Sequence, residues 1–269
     1  MIPDTEVIMS PQRPGRRRAL GQHYLIDPSI SSTMIRLASI GQYDRVLEIG
    51  TGKGALTRKL QGLSNHFEAF ELDESNYLAT RELGLDGLVL HRGDGFADSR
   101  EFDVLVSSLP YSESSNFVEW LSRHRYKRAV VLLQKDFVDK LLAPPGEDRY
   151  RAVSVISQIS SDVRLKLEVA RVAFDPPPKV SSAVVVITPK ETLSVDQIRM
   201  VKMLFSQRRR KLSAALKRLG LEGGQTDPLQ LAKRVQELSA SEFRHLLDEV
   251  RGDVQMISSG GDCRGQREA

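Results

Sequence analysis

Few residues in this 269-residue chain could form a disulfide or a metal site. The single cysteine, Cys263, excludes an internal disulfide and a cysteine-based zinc site. The five histidines are scattered along the chain and lack the paired spacing of metal ligands. We therefore expect neither a disulfide nor a bound metal.

Long hydrophobic runs are missing as well. The longest ones, such as Ala129–Leu133 and Ala183–Ile187, are far shorter than the roughly 20 residues that span a bilayer. The first residues are rich in Pro and Arg and contain no apolar core of the kind that a secretory signal needs. These absences predict a cytoplasmic protein with no membrane partner.

The net charge is small, but its distribution is uneven. The chain has 39 Lys and Arg against 35 Asp and Glu, a formal charge of +4, and its 40% hydrophobic content is typical of a soluble globular protein. Residues 1–24 contribute +2 and residues 197–221 contribute +8, which leaves −6 for the remainder. A mildly acidic body therefore carries two basic segments suited to a polyanion such as RNA.

Strand and helix patterns alternate from residue 45 onward. We predict strands at 45–49, 67–72, 88–91, 102–107 and 128–133, and helices at 55–61, 74–83, 114–123 and 134–142. The alternation predicts an α/β fold with a mostly parallel sheet covered on both faces. Two later strands, 164–170 and 183–188, lack an intervening helix and predict an antiparallel pair at one sheet edge. After Pro189 only helical patterns follow, at 195–218, 228–237 and 241–250.

A glycine-rich loop, Gly50-x-Gly-x-Gly54, lies between the first predicted strand and the first predicted helix. Glycines let the backbone turn sharply and approach a ligand with no Cβ in the way. The same pattern occurs in dinucleotide enzymes and in simple tight turns, so by itself it identifies no ligand.

Three carboxylates lie at the ends of successive predicted strands: Glu48, Glu71 and Asp94. Ligands of open α/β sheets bind at these strand ends. Glu71 is spaced to accept the hydroxyls of a ribose, and Asp94 could accept an adenine amino group. A nicotinamide cofactor stays possible on these residues, although S-adenosylmethionine, which carries no phosphate, suits a Gly-x-Gly-x-Gly loop better.

A Ser-Leu-Pro-Tyr turn, Ser108 to Tyr111, directly follows the predicted strand at 102–107. It is either a strand-ending turn in which Pro110 fixes φ, or a site of amine methylation. In the second interpretation, the Ser108 hydroxyl and the Leu109 carbonyl accept hydrogen bonds from an adenine amine, and Tyr111 stacks on the base. Positioning, rather than a dedicated general base, then carries the reaction.

The motifs together resemble the KsgA family of ribosomal RNA small-subunit adenine N6,N6-dimethyltransferases. The resemblance runs in order from about Gly21 to Arg210. The matching segments are Gly21-Gln-His-Tyr-Leu25, Glu48-Ile-Gly-Thr-Gly-Lys-Gly-Ala-Leu-Thr57, Glu71-Leu-Asp73, Ser108-Leu-Pro-Tyr111, Leu133-Gln-Lys135, Tyr150-Arg-Ala-Val-Ser-Val155, Phe174-Asp-Pro-Pro-Pro-Lys-Val-Ser-Ser-Ala-Val184 and Phe205-Ser-Gln-Arg-Arg209. Two departures stand out: Ser108 replaces the family's Asn, and His23-Tyr24 replaces its Asn-Phe.

The resemblance implies a Rossmann-like class I methyltransferase with a seven-stranded sheet and a small C-terminal all-helical domain. It implies that the target adenine lies between Tyr111 and Phe174, next to Ser108, Leu109 and Pro110. The implied cofactor is S-adenosyl-L-methionine, bordered by His23, Leu25, Gly50, Gly52, Glu71, Asp94 and Ser108. The expected organisation is a flexible basic arm at 1–20, a methyltransferase domain at 21–190, a helical RNA-binding domain at 191–257 and a disordered tail at 258–269.

The two basic segments are expected to bind RNA phosphates. Eight basic residues and no acidic one lie between residues 197 and 221. The repulsion among so many like charges is unfavourable unless a polyanion binds. The candidate RNA-binding residues are Arg16, Arg17, Arg18, Lys179, Arg208, Arg209, Arg210 and Lys211. They would position the RNA while the pocket selects an unstacked adenine.

We therefore expect a monomeric enzyme that dimethylates N6 of adjacent adenines near the 3′ end of small-subunit ribosomal RNA, acting on that RNA or on the immature small subunit. Two alternatives stay open. One is a large-subunit rRNA adenine methyltransferase of the antibiotic-resistance type. The other is a ribosome-assembly or nucleic-acid-binding factor with little catalysis. This alternative stays open because Ser108 replaces the family's Asn.

Overall fold

The computed structural model describes residues 23–221 and 226–250. The predicted arm at 1–20, with Arg16, Arg17 and Arg18, and the predicted tail at 258–269 lie outside the described residues. The strands are β1 (Tyr24–Leu25), β2 (Arg45–Ile49), β3 (His66–Glu71), β4 (Leu88–Arg92), β5 (Val104–Ser108), β6 (Arg128–Gln134), β7 (Ser161–Val169), β8 (Phe174–Asp175) and β9 (Ser182–Pro189). The helices are α1 (Pro28–Ala38), α2 (Thr57–Leu60), α3 (Glu74–Glu82), α4 (Ser114–Leu121), α5 (Lys135–Leu142), α6 (Ala152–Ser160), α7 (Val195–Ser206), α8 (Leu212–Leu219), α9 (Pro228–Ala232) and α10 (Ala240–Glu249).

Seven strands form one sheet in the order β4-β3-β2-β5-β6-β9-β7. The first five of these strands pair in parallel, whereas β9 runs antiparallel to both β6 and β7. The mostly parallel sheet and its antiparallel edge are thus as predicted. A separate two-stranded ladder joins β1 to β8, with Leu25 opposite Phe174.

The central strands are buried on both faces, which explains their near-continuous apolar sequences. In β5, Val104 and Val106 point into an apolar cluster on one face, and Leu105 points into a second cluster on the other. The first cluster contains residues of α1 and α2, and the second contains residues of α4 to α8 and α10. The sheet is therefore the middle of three layers, which leaves its strand ends open to form a site.

Two helices were not predicted. In α1, the Asp27 side chain accepts from the Ser29 backbone N–H and Pro28 occupies the first helical turn, a combination typical of a helix start. In α6, the β-branched residues resemble a strand, but the Ser154 hydroxyl accepts from the Arg151 backbone N–H at the helix start, and six of the nine residues are buried. Packing on both sides of α6 outweighs the strand preference of its sequence.

The single helix predicted over 195–218 is two helices, α7 and α8. The intervening turn is held by backbone hydrogen bonds, because the Arg208 and Arg210 carbonyls accept from the amides of Gln236 and Val235. The boundary predicted at 190/191 falls between β9 and α7, but Leu193 and Ile198 join the same buried cluster as Ile156 of α6. The division into domains remains a proposal.

Within the described ranges, no helix is long and apolar enough to cross a membrane. The same ranges contain no group of three or more His, Cys, Asp or Glu side chains that could hold a metal ion.

Candidate active site

A cleft opens at the carboxyl ends of β2, β3 and β5, where open α/β sheets bind their ligands. The residues that line it come from sequence-distant segments. They are His23, Tyr24, Gly50, Gly52, Glu71, Asn76, Ser108, Leu109, Pro110 and Tyr111. The structure thus brings the predicted glycine loop, the predicted ribose carboxylate and the Ser-Leu-Pro-Tyr turn to one cavity.

The glycine loop forms the floor of the cleft. Gly50 and Gly52 both have positive φ, 81° and 52°, a conformation that favours glycine. The Gly50 amide donates to the Phe70 carbonyl at 2.8 Å, which fixes the loop to β3. A Cβ on Gly52 would lie 3.2 Å from the Tyr24 ring, so this position has little room for a side chain.

The Glu71 carboxylate is buried at the end of β3 and holds the loop in place. Its Oε2 accepts from the Gly52 amide and its Oε1 from the Asp73 amide, both at 2.8 Å. Burial raises the pKa of Glu71, while these backbone donors act in the opposite direction. A carboxylate has about four acceptor sites, so Glu71 keeps the capacity to accept further hydrogen bonds from a ligand.

Glu48, in contrast, lies inside β2 and does not line the cleft. Its side chain is fully buried, and neither carboxyl oxygen has a hydrogen-bond partner among the described residues. Burial, together with the nearby Glu71 charge, raises the pKa of Glu48 to about 8. The group is therefore mainly protonated at neutral pH, unlike the surface carboxylate that a strand-end position would suggest.

The Ser108–Tyr111 turn forms the wall opposite the glycine loop. Ser108 ends β5, and Tyr111 begins a 3-10 turn that leads into α4. The half-buried Tyr111 hydroxyl lies 2.6 Å from the Ser182 hydroxyl, and its ring centroid lies 5.8 Å from that of His23. Burial raises the pKa of Tyr111, and the contact with Ser182 holds the uncharged phenol beside the cavity.

The third wall comes from the chain segment around β1. The His23 ring Nδ1 donates to the Pro176 carbonyl at 2.7 Å, which joins the N-terminal segment to the Pro-Pro-Pro loop. Tyr24 and Asn76 line the cleft although neither was among the predicted site residues, and the Tyr24 hydroxyl donates to Asn76 Oδ1 at 3.2 Å. Tyr24 could have been found from its motif, whereas no sequence pattern marks Asn76.

Three predicted site residues do not line the cleft. Leu25 and Phe174 are buried, 6% and 2% exposed, in one apolar cluster with residues of α1. Asp94 is exposed at the end of β4, where its carboxylate accepts from the Phe96 amide at 2.9 Å. Their predicted roles in base and cofactor binding remain predictions, and Phe174 is packed as a core aromatic in this structure.

The predicted RNA-binding residues that the structure describes lie on the surface. Lys179, Arg209, Arg210 and Lys211 are exposed, and Arg208 is half-buried with its Nη2 3.7 Å from Asp148. Their RNA contacts stay predictions.

The charges of the cleft distinguish between the two cofactor classes left open by the sequence. Among the described residues that line it, Glu71 is the one carboxylate, and no Lys or Arg is present. The four-residue helix α2 begins only at Thr57, beyond the loop, so no helix start is placed to receive a pyrophosphate. The cavity therefore suits a cationic ligand with a ribose better than a dinucleotide.

A family model described as ribosomal RNA adenine dimethylase matches residues 15–251. The chain belongs to the ribosomal RNA adenine dimethylase family. The family resemblance drawn from the motifs is thereby confirmed, and with it the Rossmann-like methyltransferase fold and the enzyme class, an rRNA adenine dimethyltransferase.

Individual members and relatives of this dimethylase family agree with that assignment. A Thermococcus gammatolerans protein named probable ribosomal RNA small subunit methyltransferase A is 37% identical over 206 residues, covering 75% of this chain and 74% of its own. A solved dimethyladenosine transferase from Plasmodium falciparum is 27% identical with a TM-score of 0.72, over 84% of this chain and 97% of that one. The 23S rRNA methyltransferase ErmE shares the fold, with a TM-score of 0.58 at 20% identity over 84% of this chain and 98% of that one.

Proposed function

We propose that this dimethylase uses S-adenosyl-L-methionine to dimethylate N6 of adjacent adenines near the 3′ end of small-subunit ribosomal RNA during ribosome assembly. The observation that carries the proposal is the cleft itself, in which Glu71 and the glycine loop face the Ser108–Tyr111 turn across one cavity. The relatives named for small-subunit methylation support the choice of RNA. We further propose that the enzyme acts as a cytoplasmic monomer.

The cofactor end of the cleft fits S-adenosylmethionine. When bound, this cofactor supplies a methyl group on a positively charged sulfonium. Glu71 would accept the ribose hydroxyls through its remaining acceptor sites, while the backbone of Gly50 and Gly52 borders the methionine part. His23 would contribute through its backbone, and Leu25 and Asp94 would complete the border. The Glu71 carboxylate also favours a cationic ligand electrostatically.

The base end of the cleft would position an adenine amine. The lone pair of this amine is delocalised into the ring, so the nitrogen is a poor nucleophile. We propose that the Ser108 hydroxyl and the Leu109 carbonyl accept its two N–H bonds, which favours a pyramidal nitrogen directed at the methyl group. Pro110 fixes the turn, and positioning then supplies the rate enhancement without a dedicated general base.

Tyr111 would stack on the target base. Its hydroxyl contact with Ser182 holds the ring beside the cavity, and base stacking on an aromatic side chain contributes about 1–3 kcal/mol. Phe174 would form the opposite face of the sandwich, but its ring is buried with Leu25. A stacking role for Phe174 therefore requires that its ring leave this apolar cluster when the base enters.

The test is methyl transfer from tritiated S-adenosylmethionine to immature small ribosomal subunits. We expect label in the 3′ region of the small-subunit RNA. Label in large-subunit RNA would instead support the antibiotic-resistance type of enzyme, and tight binding without label would support an assembly factor. Either of these two results overturns the proposal.

A pair of tyrosine variants makes the test specific to the cleft. Tyr111→Ala should abolish transfer while the dissociation constant for S-adenosylmethionine stays nearly unchanged. Tyr43→Ala removes a tyrosine that is 79% exposed and outside the cleft, and it should retain full transfer. Loss of cofactor binding in Tyr111→Ala would show that Tyr111 serves the cofactor rather than the base.

A further inference from the structure

A second cavity lies at the end of the sheet opposite the candidate active site. It lies beside the first residue of β6, near the last residues of β9 and the C-terminal end of α1. Its lining residues are Leu37, Arg128, Arg164, Lys166, Val186 and Thr188. Three of these six are cations and none is acidic, so the cavity has an apolar floor and a basic rim.

The cations of this basic cavity are poorly neutralised. Arg164 pairs with the partly exposed Asp162 at 2.8 Å. Among the described residues, no carboxylate lies within 4.0 Å of a side-chain nitrogen of Arg128 or Lys166. Arg128 and Lys166 face one cavity without a carboxylate partner and repel each other, and a bound anion would relieve that repulsion.

Arg128 provides a second, independent observation. Its Nη1 donates to the Leu37 carbonyl at 3.3 Å, which places the guanidinium at the end of α1. Its Nε is buried and has no hydrogen-bond partner in the described part of the chain. An atom so enclosed cannot itself contact a ligand, but the other guanidinium N–H groups of Arg128, which lines the cavity, can donate to a phosphate oxygen, an acceptor that guanidinium groups bind well.

We propose that the basic cavity binds a backbone phosphate of the ribosomal RNA. This inference rests on the proposed function, because it assigns the cavity to the same RNA substrate. The site and the cleft are separated by the length of β6, seven residues or about 20 Å. An RNA that reaches both ends must fold around the protein, as the RNA of a partly assembled subunit can.

The experiment measures the affinity of the full chain for immature small subunits over a range of salt concentrations. The variant carries Arg164→Glu and Lys166→Glu, and a milder one carries Arg164→Gln and Lys166→Gln. The control is Arg81→Glu on α3 at the other edge of the sheet, whose charge change of about −2 equals that of the glutamine pair. The dissociation constant for S-adenosylmethionine and the thermal unfolding midpoint establish that each variant is folded.

Each lost phosphate contact should reduce the slope of log affinity against log salt by about 0.7–0.9. We therefore expect the glutamine pair, which removes one phosphate contact, to flatten the slope by roughly 0.7–0.9, with a larger loss of affinity for the glutamate pair. Arg81→Glu should leave the slope unchanged, and cofactor binding should be equal in all proteins.

The outcomes separate this inference from the proposed function. If the wild type binds and methylates immature subunits while both double variants keep its affinity and slope, the cavity does not bind the RNA. In a further outcome, inorganic phosphate stabilises the wild type but not the double variants. If the RNA affinity of those variants is unchanged, this result would assign the cavity to a free anion and overturn the proposal. If the wild type neither binds nor methylates immature subunits, the proposed function itself fails.

Discussion

The buried Glu48 carboxyl makes the stability of this protein depend on pH. Its pKa rises from an ordinary value of 4.5 to about 8, mainly because burial disfavours the charged form. The substitution Glu48→Gln keeps the shape and polarity of the side chain and removes the titration. At pH 5, where Glu48 is protonated in the folded state, the two proteins should have similar free energies of unfolding.

The sign follows from proton linkage. Between pH 4.5 and 8 the folded state keeps the Glu48 proton and the unfolded state releases it, so the stabilising effect present at low pH is lost as the pH rises. Each pH unit in this window removes about 1.4 kcal/mol. From pH 5 to pH 8 the wild type should therefore lose on the order of 4 kcal/mol relative to Glu48→Gln.

Denaturant unfolding of both proteins at pH 5, 6, 7 and 8 measures this difference. Titration of all other groups is common to the two proteins and cancels when their free energies of unfolding are subtracted. A difference that stays constant across the four pH values would refute the reasoning, because it would mean that Glu48 is ionised in the folded protein. Equal slopes against denaturant would establish that the two transitions are comparable.

Three further predictions concern other parts of the structure. Glu71→Ala removes a carboxylate that can make charge-assisted hydrogen bonds, so calorimetry should show a 10- to 100-fold weaker S-adenosylmethionine affinity, about 1.5–3 kcal/mol; unchanged affinity would exclude Glu71 from the cofactor site. Gly54→Ala should destabilise the protein slightly more than Gly62→Ala, since both have positive φ but a Cβ at Gly54 would lie 2.8 Å from a Leu83 methyl group and force that side chain to turn away; equal unfolding midpoints would contradict this. In the wild type, the buried Leu238 carbonyl accepts the Tyr150 hydroxyl at 3.0 Å. Tyr150→Phe leaves this carbonyl unpaired and should lower the free energy of unfolding by about 1–3 kcal/mol; a neutral effect would show that another donor replaces the hydroxyl.

The sheet was predictable because β2, β3 and β5 are each marked by an apolar run that ends at a glycine, an acidic residue or a serine. Gly50, Glu71 and Ser108 follow or end such strands, and parallel strands place their carboxyl ends at one edge. For that reason the cleft could be assembled from residues far apart in sequence. The antiparallel edge was predictable because β7 and β9 have no long helix between them.

Burial could not be read from the same patterns. Glu48 and Glu71 both lie at strand ends in the sequence, yet one side chain points into the core and the other into the cleft. Phe174 matches a motif associated with base stacking and nevertheless packs among core residues. The direction of each side chain depends on tertiary packing, which a single sequence does not specify locally.

The ladder between β1 and β8 joins two segments that are far apart in the sequence. Next to this ladder, the hydrogen bond between the His23 ring and the Pro176 carbonyl connects residues 153 positions apart. Contacts of such high sequence separation form late in folding, because a long loop must close first. During synthesis the N-terminal segment must therefore wait for residues 174–176 to emerge. A nascent chain that ends before residue 174 already contains the glycine loop, Glu71 and the Ser108–Tyr111 turn, but its cleft remains open on one side.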